Sequence, residues 1–407
     1  MARHWLVRGT EWLLAGGFDP ALPEALEFDL LLRLIDRGGM AGLDAVHEPL
    51  LTADAPVLLD NPQEEAALLR HLQGRGYPDA AVHRLQPRRY RIDYRHAARP
   101  LVSVLLPVHG ATLAQLQRCM ETLLEKTGYA DYEVLIVAGP APGAEVQAWL
   151  AQIEAWQSPQ MRVVRHAQAS ARAAAVAAAL ADARGEYVVT VEGATAFVRD
   201  DWMQCMLNHA QRPEVAVVGA KLLRPDGTVE HAGLVLGLRG AAGSPFVGEP
   251  LDAVGYMHRL EVDQNYSAVS GACMMVRRAV LQEVAGSGLP WTDALHQDVE
   301  LCLRVRAAGY LVVWTPHAVA LHEEMAEAQA PLAMQGEAEA FHAAWLPVLA
   351  RDPAYNPNLE LDGTGFTVDA DLSVNWQPLA WHPLPRAVVH PADAFGCGHY
   401  RMIQPFQ

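Results

Sequence analysis

The sequence predicts an α/β fold organised as a doubly wound sheet. Three observations carry this: continuous apolar runs that stop at Pro or Gly, helical periodicity between those runs, and a chain long enough to bury them. The 407 residues are 51% hydrophobic and 19% charged, a balance that excludes general disorder and suits two or three folding units. Residues 101–106 (LVSVLL) end at Pro107 and read as a strand buried on both faces. Residues 113–124 carry apolar positions at helical spacing, and residues 132–137 (YEVLIV), closed by Gly139 and Pro140, complete a βαβ unit. Residues 161–164, an Ala-rich helix over 171–183 and residues 187–191 repeat the alternation. In such sheets ligands lie at the carboxyl ends of the strands.

The rhythm changes after Trp202. Residues 215–218, the turn Pro225-Asp226-Gly227 and residues 229–236 read as strand and hairpin, because Asp-Gly supplies a positive-φ residue between apolar runs. Residues 267–276 (SAVSGACMMV) form a further strand candidate. A helix over 299–308 ends at Gly309, and a strand over 311–314 leads to Pro316. One amphipathic helix is expected over 324–349, with a Pro- and Asn-rich extended arm from Arg351.

Composition narrows the function classes. With 31 Lys plus Arg against 47 Asp plus Glu, the net charge is −16. An acidic surface without a basic stripe repels a polyanion, so no nucleic-acid partner is expected. Cysteines 119, 205, 273, 302 and 397 lie far apart with no zinc-like spacing, and are expected reduced and buried. Residues 1–10 carry Arg3, His4 and Arg8 without the apolar core of a signal peptide. The Ala-rich run from Ala173 stops at Asp182, short of the ~18 apolar residues a membrane helix needs, so no transmembrane segment is expected. The expected location is the cytoplasm, or peripherally at the inner face of a membrane.

An internal echo suggests module organisation. Gly16-Gly17-Phe18-Asp19, followed by Glu27-Phe28-Asp29-Leu30-Leu31-Leu32-Arg33, parallels Gln297-Asp298-Val299-Glu300-Leu301-Cys302-Leu303-Arg304. In each, an acidic cluster opens an amphipathic helix with an Arg one turn on, then Gly and an apolar run to Pro (Pro49, Pro316). Either two amphipathic helices are alike by chance, or the first 50 residues are the tail of a second module. At the other end Gly396-Cys397-Gly398-His399-Tyr400-Arg401 opens what reads as a further unit. The expectation is a chain cut from a longer protein.

Six stretches, in order, resemble the family 2 glycosyltransferases of the GT-A fold. They are PLVSVLLPVHG (100–110), YEVLIVAG (132–139), ARGEYVVTVEGAT (183–195), VGAKLLRPDGTVEHAGLVLG (218–237), NYSAVSGACMMVRR (265–278) and QDVELCLRVRAAGYLVVWTP (297–316). The middle and last stretches resemble especially the subgroup found in bacterial O-antigen and cell-surface polysaccharide assembly, and DPAYNPNL (352–359) resembles the tail of that subgroup. The resemblance implies a GT-A, Rossmann-like domain with a mixed central sheet over 99–325. Around it stand a partial GT-A-like remnant (1–50), a helical linker (51–98), a C-terminal helix and arm (326–385) and the start of a further domain (386–407).

The implied partners are a nucleotide-diphosphate sugar donor, a glycan or lipid-linked glycan acceptor, and further transferase modules of a longer chain. The implied reaction is inverting sugar transfer, which needs a base at the acceptor hydroxyl. The resemblance puts that base at Asp298; capping of its helix is the structural alternative, and the two roles are compatible. Val108, His109, Ala138, Glu192, Ala194, Gly271 and Glu300 stand at the implied substrate-binding positions.

The donor side departs from the family. Ala138 and Gly139 replace the acids expected after the second strand, and Glu192-Gly193-Ala194 replaces the DxD-like motif. The implied cofactor, Mg²⁺ or Mn²⁺, keeps Glu192 as its single carboxylate there, and no residue is assigned as a metal ligand. His322 matches a position where some relatives have a metal-contacting histidine. His231 reads as packing near the hairpin, and Cys273 as a small buried hydrophobe. A catalytically inactive GT-A module serving as scaffold or glycan-binding unit is the alternative. No GxSxG elbow or GxxxxGK[ST] loop is present for a hydrolase or a P-loop enzyme.

Overall fold

Asn61 opens the first well-capped helix of the chain: its side chain accepts from Gln63 N and Glu64 N, and Pro62 fills the first helical position. A computed structural model describes residues 6–39, 42–43, 58–140, 142–166, 172–285, 294–323 and 333–369. It begins with α1 (Gly9–Leu14), α2 (Leu26–Gly38) and the Asn61-capped α3 (Pro62–Gly74), followed by the hairpin β1 (Ala81–Gln86) and β2 (Arg89–Asp93). The segment expected as a helical linker thus holds one helix and a hairpin. Its turn at Pro87-Arg88 works because Arg88 adopts the left-handed region, φ 59°. The hairpin is stitched to the body by Asn208, which accepts from Tyr94 N (2.9 Å) and donates to Ile92 O (2.8 Å).

The winding then proceeds through β3 (Val102–Pro107), α4 (Leu113–Glu125), β4 (Tyr132–Ala138), α5 (Ala144–Trp156), β5 (Met161–Arg165), α6 (Arg172–Leu180) and β6 (Tyr187–Val191). These four strands pair in parallel. Thr112 and Gln115 form a capping box at the start of α4. Alternate residues of β3 serve opposite faces: Val104 and Leu106 join the core under α4, while Leu105 packs with Ala175 and Ala179 of α6. Ala-rich α6 therefore lies close to the sheet.

The second half comprises β7 (Thr195–Phe197), α7 (Trp202–Ala210), β8 (Val215–Leu223), β9 (Val229–His231), β10 (Val235–Leu236), β11 (Ala242–Gly243), β12 (Gln264–Asn265), β13 (Cys273–Arg277), α8 (Arg278–Ala285), α9 (Ala294–Ala307), β14 (Leu311–His322) and α10 (Ala333–Leu349). Among the described residues, ten strands form one sheet in the order β12-β14-β8-β13-β6-β3-β4-β5, with β7 on β14 and β9 on β8. β13 runs antiparallel to both β6 and β8. The mixed central sheet expected of the fold is what forms.

Four expected elements differ. The run 229–236 breaks at Gly233, whose φ is +89° and where a Cβ would meet the Tyr266 ring at 2.5 Å. The strand expected from Ser267 begins only at Cys273, because residues 268–272 leave the sheet to bond Leu234, His231 of β9 and Asp298 of α9. Pro316 does not end its strand: the pairing of β14 with β8 shifts register between Thr315 and Val319 and continues to Leu321. Residues 351–369 are not an extended arm. Asp352 is buried, accepts from Leu236 N (2.8 Å), Ala354 N (2.8 Å) and the Ser267 hydroxyl, and leads Tyr355, Leu359 and Phe366 into the core that holds Trp314.

The internal echo has a structural counterpart. Arg33 binds Asp29 at 2.7 Å one turn back, as Arg304 binds Glu300 at 2.7 Å, and both carboxylates are buried. Pro49, most of residues 40–57, the segment 324–332, and residues 370–407 with Cys397 and His399 lie outside the described residues.

Candidate active site

Register assembles the site. Leu105 lies opposite Thr190 and Pro107 opposite Val137, so the carboxyl ends of β3, β4 and β6 finish side by side. Val108 is buried and donates its N–H to Val137 O at 3.0 Å, whereas His109 is exposed on the following turn. Ala138 is fully buried in the core, and its carbonyl accepts from His166 N at 3.0 Å. Gly193 is required by packing: a Cβ there would sit 2.7 Å from Ala111 Cβ and 2.7 Å from Leu116 Cδ2. Ala194 is buried, its carbonyl accepting from Glu323 N at 3.3 Å and from Arg118 Nη2 at 3.5 Å. Half-exposed Arg118 also pairs with Glu323 at 3.1 Å, placing a guanidinium at this edge.

The Gly271-Ala272 turn ties the two halves together. Asp298 Oδ2 accepts from Gly271 N at 2.6 Å, and Gly271 O accepts from the Thr190 hydroxyl at 2.8 Å. Next to it, Ala272 O accepts from Glu192 N (3.0 Å) and from the Thr195 hydroxyl (3.2 Å). Asp298, Gly271 and the loop of Glu192 are therefore joined through two consecutive residues. Asp298 is only 7% exposed. Helix α9 is already formed at Ala294, four residues earlier, so Asp298 is not its N-cap, and the capping alternative does not apply. Glu300 is turned to other work: its oxygens accept from Arg304 Nε at 2.7 Å and from Trp345 Nε1, fastening α9 to α10.

A charge cluster around a buried histidine stands beside the Glu192 loop. His322 is placed by pairing opposite Thr195, three residues after Glu192. Glu230 arrives on β9, which pairs with the end of β8 next to β14. His322 Nδ1 lies 2.6 Å from Glu230 Oε1 and Nε2 lies 3.2 Å from Glu192 Oε2. Burial works against the charged imidazole, but the hydrogen bonds and charges of the two glutamates outweigh it and raise its pKa to about 9. Neighbouring His231 behaves oppositely. Burial, reinforced by the charge of His322, pushes it down to about 3, and its Nε2 accepts from Ser270 N at 3.0 Å. Neutral His231 thus holds the residue preceding Gly271, a positioning role beyond simple packing.

The donor set does not fit a divalent cation. Such ions take carboxylates plus phosphate oxygens, yet Glu192 already faces His322, and Ala194 has no ligand atom in its side chain. Among the described residues no group of three His, Cys, Asp or Glu is arranged to hold a metal. Glu230 is the site residue that the sequence does not mark; it stands in the EHAG stretch directly before His231, and only its contact with His322 distinguishes it from a surface carboxylate. Cys273 is fully buried, and burial pushes its thiol up to about 12, as fits a packed hydrophobe and not a nucleophile. No helix among the described residues is long and apolar enough to cross a membrane.

Residues 103–285 match the family model described as Glycosyl transferase family 2. An uncharacterized protein, y4gI, of Sinorhizobium fredii is 33% identical over 374 residues, covering 87% of this chain and 41% of the relative. The O-antigen biosynthesis protein RfbC of Myxococcus xanthus is 32% identical over 376 residues, covering 89% of this chain and 29% of the relative. The chain thus spans less than half the length of either. Among solved structures, the mannosyltransferase PcManGT from Pyrobaculum calidifontis, in complex with GDP-Man and Mn²⁺, aligns with TM-score 0.44 and 17% identity over 62% of this chain and 69% of that one. GalNAc-T7 with UDP, GalNAc and Mn²⁺ aligns with TM-score 0.46 and 13% identity over 57% and 45%.

Proposed function

We propose, from the match of residues 103–285 to the model described as Glycosyl transferase family 2, that the chain transfers a sugar from a nucleotide-diphosphate donor to a glycan or lipid-linked glycan acceptor. Cell-surface polysaccharide assembly is the setting, a reading supported by the likeness to a protein named for O-antigen biosynthesis. The transfer inverts the anomeric centre. Asp298 takes the proton of the acceptor hydroxyl as the acceptor oxygen bonds to C1 and the bond from C1 to the diphosphate oxygen breaks, releasing the nucleotide diphosphate.

The observation that carries this reading is the bond from Gly271 N to Asp298, on the same short turn whose next residue anchors the Glu192 loop. An acceptor-side carboxylate and the donor edge are held together as one rigid unit, which is the geometry a single displacement requires. The amide fixes the carboxylate's orientation. Gly271, without a side chain, lets the sugar come close to the backbone beside Asp298, and Arg118 offers a cation to the diphosphate. His109, on the exposed turn after β3, is assigned to the nucleoside side.

A second reading, a binding or scaffold module without turnover, is favoured by Ala138 and Ala194 at positions where the family carries carboxylates. Calorimetry with UDP-, dTDP- and GDP-sugars separates the two. Binding of one donor, with turnover that Asp298→Asn abolishes while donor affinity stays within about twofold, supports the transferase. Turnover that survives Asp298→Asn refutes Asp298 as base, and absence of binding to every donor supports the scaffold.

A further inference from the structure

We infer that His322 is an internal cation that closes the Glu192–Glu230 pair, so that the donor edge takes up no divalent ion and holds a nucleotide diphosphate without one. The part concerning the ion stands independently; the part concerning the nucleotide rests on the transferase reading above.

The argument is geometric. Both ring nitrogens of His322 face carboxylate oxygens, at 2.6 Å from Glu230 and 3.2 Å from Glu192, and the ring is almost fully buried. The two carboxylates, Glu230 13% and Glu192 26% exposed, meet opposite nitrogens of one ring, and a cation between them eases their mutual repulsion. A metal is one solution and a protonated imidazole is another. Here the imidazole occupies the space, held by the pairing of β14 with β7.

A dication binding Glu192 would have to approach this imidazolium or displace it. Displacement would break both hydrogen bonds of a buried ring, and the adjacent Ala194 offers no second carboxylate in return. His231, the next ring in the cluster, has its Nε2 committed to Ser270 N. Glu230 Oε2 is buried without a hydrogen-bond partner among the described residues. One oxygen is too few to make an octahedral site, yet it becomes a ready ligand once His322 is removed.

Mn²⁺ alone is the probe, titrated into the full chain and followed by electron paramagnetic resonance, beside UDP calorimetry with and without EDTA. Wild type is expected to show no one-to-one Mn²⁺ site tighter than about 1 mM, and its UDP affinity is expected to stay within about twofold on adding EDTA. His322→Ala is expected to gain Mn²⁺ affinity by about tenfold or more, since both carboxylates lose their cation. A saturable wild-type Mn²⁺ site that Glu192→Gln weakens overturns the inference, as does an unchanged Mn²⁺ affinity in folded His322→Ala. Should His322→Ala fail to fold, the wild-type and Glu192→Gln titrations still decide the matter. Failure to bind UDP under either condition counts against the transferase reading and leaves the metal result to stand alone.

Discussion

Replacing His322 with Gln should flatten the pH dependence of stability in one window. The native imidazolium faces Glu192 from the end of β6 and Glu230 from β9, with neutral His231 beside it and Glu323, paired to Arg118, next in sequence. Its pKa is raised from the ordinary 6.5 to about 9. A base whose folded pKa is raised stabilises the fold fully below its unfolded pKa and loses that contribution as pH climbs through the folded value. The window therefore runs from 6.5 to about 9. At about 1.4 kcal/mol per unit, some 2.5 units amount to about 3 kcal/mol. Little screening discount applies, since the side chain is 8% exposed. Urea unfolding of wild type and His322→Gln at several pH values across that window reads the difference directly. Wild type should lose about 3 kcal/mol of its advantage between the two ends. A constant difference, or an NMR titration placing His322 at or below its ordinary pKa, would refute the reasoning.

Three further outcomes are expected. His231, held near 3, stays neutral in the native state while the unfolded chain takes up its proton, so wild-type stability should fall as pH drops below 6.5, and His231→Asn should lose less over that range by thermal melts. Gly233→Ala combines a φ of +89° with a Cβ 2.5 Å from the Tyr266 ring and should cost about 2–4 kcal/mol in chemical denaturation, whereas a loss under about 0.5 kcal/mol would mean the turn yields freely. Burial pushes the thiols of Cys119, Cys273 and Cys302 up to about 12 and that of Cys205 up to about 11, so peptide mapping after iodoacetamide should find these four unlabelled until the protein is unfolded.

The strands of the first half were legible because their signal is local. A parallel strand buried on both faces must be apolar at nearly every position, and residues 101–106, 132–137 and 187–191 advertise this without any knowledge of neighbours. Helix α4 announces itself in the same way through its spacing and its Thr112 cap. Helix α5, by contrast, carries no such signal. Its alanines and two tryptophans carry little contrast between faces, and it buries only Leu150 and Ile153. The hairpin over residues 81–93 is equally silent in the sequence, since its strands are only partly buried and alternate weakly.

The candidate site divides along the same line. Asp298, Glu192 and Gly271 are candidates that the family resemblance names, because a resemblance fixes positions along a chain. That Gly271 would hold Asp298, that Glu300 would fasten α10 and that Pro316 would lie within a strand all follow from side chains meeting across the sheet. The His322 cluster is the clearest case: its partners lie 130 and 92 residues away, and a one-residue slip of β14 against β7 would turn the ring to the other face. Apolar burial is written residue by residue into a strand. Register comes from pairing distant segments, so which carboxylates share a cation is settled by that pairing alone.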